Sequence, residues 1–274
     1  MPPLPDAKRL IDQAIAAAKA AADLLVAGRR EADSGLREAQ WQGGRDVKLA
    51  ADKAAEAAVV DKLGGSAALP ILSEEAGWIG TPPGAEALYW CVDPLDGTFN
   101  YWRGIPGTAV SIALCRAGVS QMGVVVDLDS GAVWHGGPGL GAFCDRAPVA
   151  VAATEDPAAG VLATGFPHLA DLSDAGLRPL AERAQRWKKI RMFGTATLAA
   201  VWVADGRLDA YAEAGARWWD VAAAFAIVAG AGGSVRATPV AGGPFDPMAP
   251  LDVAAAATPT LMAALGGGDR PGVH

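Results

Sequence analysis

Between residues 6 and 27, Leu10, Ile11, Ile15, Leu24 and Leu25 recur at helical spacing among alanines and lysines, and Gly28 follows as a stop. The pattern predicts an amphipathic helix over 6–27. A second helical tract runs from Asp46 through Val59, Val60 and Leu63 to Gly64-Gly65. Asp46 and Asp52 stand in its first turns and point different ways on a 3.6-residue repeat. The period then shortens. Apolar runs at 69–72 and 88–92, bounded by turn residues, predict buried strands. Each runs straight into acid: Ser73-Glu74-Glu75 after the first, Asp93-Pro94-Leu95-Asp96-Gly97-Thr98 after the second. Carboxylates just past strand ends are a site signal, because a strand end holds side chains rigidly at the edge of a cleft.

From 108 to 143 the chain reads as an antiparallel meander, with strands at 108–115, 121–126 and 132–135. Beyond 150 the texture alternates: strand 160–164, helix 174–187, strand 189–193, helix 195–204, strand 208–212, helix 220–229, strands 234–237 and 253–257, helix 259–265. The expected fold class is α+β/α/β, a layered αβαβα sandwich of two sheets and flanking helices, the first sheet mainly antiparallel and the second mixed. Residues 1–150 form an N-terminal α+β half with most of the candidate ligand acids; residues 151–274 form a C-terminal α/β half that supplies Asp220 and a pocket. The tail 266–274 reads as disordered.

Composition narrows the function classes. With 274 residues, 51% hydrophobic and 19% charged, the chain can bury a sizeable core. A net charge of -7 argues against an electrostatic grip on nucleic acid or an anionic membrane, since both need clustered Lys and Arg. Cys91, Cys115 and Cys144 fit neither a disulfide framework nor a thiolate zinc site, and three histidines do not make a histidine-rich metal site. No basic-then-apolar leader opens the sequence, and no run approaches the roughly 18 apolar residues of a membrane span, so a cytoplasmic protein is expected. The apolar tract 221–233 reads as a buried helix with its stop.

Asp93-Pro94-Leu95-Asp96-Gly97-Thr98 carries the most chemistry. Two aspartates three apart across a proline-stiffened turn can aim at one place, and the Leu95 carbonyl can turn the same way. Hard oxygen donors suit Mg²⁺. Gly97-Thr98 offers backbone N–H groups at a turn, where a phosphate can sit. The bland readings are a simple turn here, a solvated acidic loop at Glu74-Glu75, of which an extended backbone would point one inward and one outward, and a helix N-cap at Asp220. Convergence favours the sharper reading. Carboxylates about 4–6 Å apart repel by roughly 4 kcal/mol per pair at an effective dielectric of 20, so such a cluster stays ionised only with cations among its members.

These residues resemble the inositol monophosphatase family, Mg²⁺-dependent, lithium-sensitive phosphomonoesterases that also include histidinol phosphatases, bisphosphate nucleotidases and fructose bisphosphatases. Asp46-x5-Asp52, Ile71-Leu-Ser-Glu74-Glu75, Trp90-Cys-Val-Asp93-Pro-Leu-Asp96-Gly97-Thr98-Phe-Asn100-Tyr, Gly194-Thr195-Ala196 and Trp219-Asp220-Val-Ala-Ala stand in family order across nearly the whole chain. Five fixed positions in one six-residue window arise by chance in about one chain of this size in ten thousand.

The resemblance implies two or three Mg²⁺ per active site: Glu74, Asp93 and the Leu95 carbonyl on one, Asp93, Asp96 and Asp220 on a second, and Glu74 helping a weaker third. It implies that Asp52 and the Thr98 hydroxyl orient the attacking water, with Glu74 also catalytic. Asp96, Gly97, Thr98, Gly194, Thr195, Ala196, Glu213 and Asp220 would contact a small phosphorylated metabolite, first of all inositol monophosphate. A homodimer is implied in the same way, with no membrane or nucleic-acid partner. The chain departs from the family where a lysine before Asp46 is replaced by Gln40-Trp41-Gln42-Gly43-Gly44 and a threonine before Asp52 by Leu49; Arg45 or Lys48 is the candidate compensation. Cys91 reads as a buried strand residue, and Tyr101, Trp102, Trp187, Trp202, Trp218 and Trp219 mostly as packing. The alternatives are a 3′(2′),5′-bisphosphate nucleotidase or histidinol phosphatase, a regulatory binding protein on the same fold, and a carboxylate-pair glycosidase. The last explains neither the Gly-Thr turn nor the fourth acid.

Overall fold

Alanines at 14, 17, 18, 21 and 22 give helix α1 (Ala7–Arg30) a thin buried face. It lies against α2 (Ala50–Leu63), whose Ala51, Ala55, Val59 and Leu63 face inward. The computed structural model describes residues 4, 6–31, 35–36, 38–41, 47–64, 69–84, 86–166 and 172–266. Gly28 does not stop α1 as the pattern predicts. It sits buried inside the helix, where a Cβ would lie 2.2 Å from Leu36 Cδ1, so its missing side chain serves a close approach. The second helix likewise begins at Ala50, because Val47–Leu49 is extended and pairs as β2 with β1 (Ala39–Trp41). Asp46, Arg45 and 42–44 lie outside the described residues, as does the tail beyond 266.

The first sheet comprises β3 (Ile71–Ser73), β4 (Gly77–Ile79), β5 (Leu88–Asp96), β6 (Ala109–Arg116), β7 (Val119–Asp127), β8 (Val133–Gly137), β9 (Gly141–Cys144) and β10 (Ala147–Pro148). Short helix α3 (Thr98–Arg103) follows β5. The strand order is β10-β9-β8-β7-β6-β5-β3-β4, antiparallel except where β3 joins β5. Helices cover both faces, so β5 is buried almost throughout: Trp90, Val92 and Leu95 face α1 and α2, while Tyr89 and Cys91 face the other way.

The second sheet holds β11 (Val161–Ala163), β12 (Lys189–Arg191), β13 (Ala210–Ala216), β14 (Ser234–Pro239) and β15 (Leu251–Ala256) in the order β12-β11-β13-β15-β14. It is mixed: β11 runs parallel to both neighbours and the other pairs are antiparallel. α4 (Asp174–Arg186) precedes β12, and α7 (Pro259–Ala264) follows β15. Between the sheets lie α5 (Ala196–Ala204) and α6 (Trp218–Gly230), apolar on nearly every side because both flanks are protein. α6 presses close enough on β7 that a Cβ on Gly123 would meet Ala223 O at 2.1 Å. The αβαβα layering matches the sequence expectation. No described helix is long and apolar enough to cross a membrane.

Candidate active site

Three helix N-termini and one broken strand build the site. Residues three apart on a regular strand face opposite ways, so Asp93 and Asp96 should be separated by β5. The β5–β6 register shifts between them: Asp93 pairs with Ser111 and Asp96 with Ala109, three steps on one strand against two on the other. The bulge resets the alternation, and both carboxylates emerge on the α5/α6 side while Leu95 stays in the opposite core. Asp93 Oδ1 accepts from Leu95 N at 3.0 Å, tightening the turn. Gly97 then takes φ +83°, and a Cβ there would stand 2.5 Å from Gly107 O. That conformation and that contact both require glycine.

Asp96 lies at the N-terminus of α5, where it accepts from Thr195 Oγ1, Thr197 N (3.1 Å) and Ala196 N (3.3 Å). Asp220 lies in the first turn of α6 and accepts from Arg217 N at 2.7 Å. Asp52, in the first turn of α2, accepts from Leu49 N at 2.5 Å. Each acid therefore faces the positive end of a helix dipole. Thr98 Oγ1 is 3.0 Å from both Asp52 Oδ1 and the Leu95 carbonyl; its single proton serves one at a time.

Glu74, Asp93 and Asp220 each bring a carboxylate oxygen within 4.8 Å of the other two. They share a cavity of about 490 Å³ with Asp96, Thr98 and Glu213. Asp52 stands behind Thr98, 2% exposed. Gly194, Thr195 and Ala196 form part of the cavity wall. Asn100 ties this wall to the turn after β5: its Nδ2 donates to Gly107 O at 3.0 Å and Phe193 O at 2.8 Å.

Confinement makes ionisation costly. Burial, then the charges of Glu74, Asp96 and Asp220, push the Asp93 carboxyl well above the usual range. Burial and then the Glu74 charge do the same to Asp220. Asp96 rises to about 6, burial being partly offset by its hydrogen bonds. Burial and the nearby Glu75 and Glu74 carry Asp52 to about 7 against the hydrogen bond from Leu49. Glu213, buried and accepting from Tyr211 Oη at 3.1 Å, also rises to about 7.

The acidic pair after β3 departs from an extended backbone. Glu74 lines the cavity and Glu75 does not, but the chain turns at 74–76 rather than staying extended, and both carboxylates reach the Lys48 ammonium. Lys48 Nζ is 2.6 Å from Glu74 Oε1 and also donates to Glu75 Oε1. Burial works against this cation, but the two carboxylates outweigh it and raise its pKa. Cys91 is buried beneath Asp93 with its thiol pushed up by burial, and Trp187 and Trp218 are core. Sequence reasoning missed Gly165, Phe166 and Arg217 on the cavity wall. A Cβ on Gly165 would lie 2.3 Å from Glu213 Oε2, a requirement that a lone glycine does not announce.

The family model described as the inositol monophosphatase family matches residues 6–267. The Nus factor SuhB of Xylella fastidiosa is 38% identical over 188 residues, 67% of this chain and 66% of that protein. The inositol-1-monophosphatase of Mycobacterium bovis is 36% identical over 181 residues, 64% of this chain and 62% of that one. The matched stretch thus spans a little under two thirds of either relative. The solved inositol monophosphatase of Anabaena superposes with a TM-score of 0.79 at 29% identity, covering 95% of each chain.

Proposed function

The chain belongs to the inositol monophosphatase family, and from that premise we propose that it is a Mg²⁺-dependent phosphomonoesterase of a small phosphorylated metabolite, inositol monophosphate first among them. The observation that carries the reading is the meeting of Glu74, Asp93 and Asp220 within 4.8 Å, with Asp96 alongside. Buried carboxylates this close are unfavourable as bare anions, and their all-oxygen donor set fits a hard divalent cation. Glu74, Asp93 and the Leu95 carbonyl would hold one ion, and Asp93, Asp96 and Asp220 a second, with Asp93 common to both. When bound, such ions acidify water and neutralise charge on the phosphate and the leaving oxygen.

The protein's own groups do the rest. The Thr98 hydroxyl, which donates to Asp52 Oδ1 at 3.0 Å, accepts from and orients the attacking water; as it takes the water's proton it passes its own to Asp52, whose carboxyl is raised to about 7 before ions enter. Glu74, on the same cavity lining, supports the same water. Gly97 and Thr98 present backbone N–H groups to the phosphate. Gly194, Thr195 and Ala196 border the leaving group, with Glu213 and Asp220 as acceptors for its hydroxyls. No side chain need be phosphorylated, since Cys91 is buried and protonated. Lithium sensitivity, a homodimer and a cytoplasmic setting complete the reading on family likeness.

Phosphate release from inositol 1-phosphate, histidinol phosphate, adenosine 3′,5′-bisphosphate and fructose 1,6-bisphosphate tests the substrate. The expected result is the highest kcat/KM on inositol 1-phosphate. A preference of tenfold or more for the adenosine compound would instead make the chain a bisphosphate nucleotidase.

A further inference from the structure

We infer that the Lys48 ammonium is a resident cation of the acidic basin, standing in for one divalent ion so that the chain takes up two rather than three. The inference rests on the reading of the basin as a divalent-ion site. Strand β2 pairs with β1 and leads directly into α2, so the backbone that sets Asp52 also delivers Lys48 to the basin wall. There Nζ bonds both Glu74 and Glu75, and its side chain is only 17% exposed.

Charge decides how many further cations fit. Asp52 feels Glu74 and Glu75, and Asp93 feels Glu74, Asp96 and Asp220, so these six carboxylates share one field. Glu213 and Arg217, an acid and a base elsewhere on the cavity lining, offset each other. Lys48 reduces six negative charges to five. Two divalent ions then leave a single negative charge, and a third would overshoot. Without the ammonium, three ions match the six. Glu74 is also the carboxylate that the ammonium and the ions must share, and the charged N–H at 2.6 Å from its Oε1 already neutralises part of the charge that would draw a further ion.

The test counts Mn²⁺ bound per chain by equilibrium dialysis of the full-length protein without substrate, with circular dichroism confirming the fold of each variant. Two ions are expected on the wild type, three on Lys48→Gln, and two on Lys48→Arg, which keeps the charge. A third ion on the wild type overturns the inference while leaving the divalent-ion reading intact, and that arm depends on no variant folding. An unchanged count in Lys48→Gln, or three ions on Lys48→Arg, overturns it as well. A wild type that binds no Mn²⁺ removes both the inference and the reading beneath it.

Discussion

Asp93→Asn is expected to lower phosphatase kcat by about 10⁴-fold, some 5.5 kcal/mol of transition-state stabilisation, while the chain stays folded. Asparagine has the shape of aspartate without its charge, so the packing over Cys91 and the bulge of β5 are preserved. The lost charge is the one that Glu74, Asp96 and Asp220 all press upon, and the one common to both proposed ions. The same substitution should raise the melting temperature in chelator at pH 8, because it removes a member of a repelling group. Activity lost together with ion-free stability gained is a signature that mere misfolding does not give. Activity within tenfold of wild type would place the chemistry elsewhere. A binding role on the same fold, as the Nus factor name of one relative suggests for that protein, would survive Asp93→Asn unchanged.

The second large effect is on stability without metal. Asp52 moves from 3.8 to about 7 and Asp96 from 3.8 to about 6 on folding, and Asp93 and Asp220 move the same way, in each case first through burial. Between about pH 4 and 7 the folded, ion-free protein therefore holds protons that the unfolded chain has released. Stability is fully present below the ordinary carboxylate range and is lost as pH rises through the folded values. The shift on Asp52 alone corresponds to on the order of 4 kcal/mol. Thermal melts in chelator should fall by roughly 10 °C or more between pH 5 and 8. Excess Mg²⁺ should restore the loss at pH 8 and do much less at pH 5, since ions bind the folded, deprotonated basin. A melting temperature that is flat or rising over this range in chelator would mean that the acids do not confront one another.

The parts of this molecule that were legible in its sequence are those whose signal is local. Alternation of strands and helices after residue 150 and the all-apolar α6 follow from period alone, and Asp93-Pro94-Leu95-Asp96-Gly97-Thr98 is contiguous. What escaped depends on partners distant in sequence. Gly28 has the look of a stop because the pattern cannot show Leu36 lying against it. The β5 bulge that turns Asp93 and Asp96 to one side is a property of the pairing with Ser111 and Ala109, not of β5 itself. Glu75 turns toward Lys48 because the chain bends at 74–76, where an extended reading sends it away. Gly165 matters only once Glu213 is known to lie over it.

Phosphate release from inositol 1-phosphate, followed while the chelated protein is titrated back with Mg²⁺, puts the shared basin of Glu74, Asp93, Asp96 and Asp220 to its plainest trial. Turnover should be absent in chelator, return with added Mg²⁺, and fail to return in Asp93→Asn at the same concentrations. Steady hydrolysis in excess chelator would contradict the assignment of these acids as cation ligands.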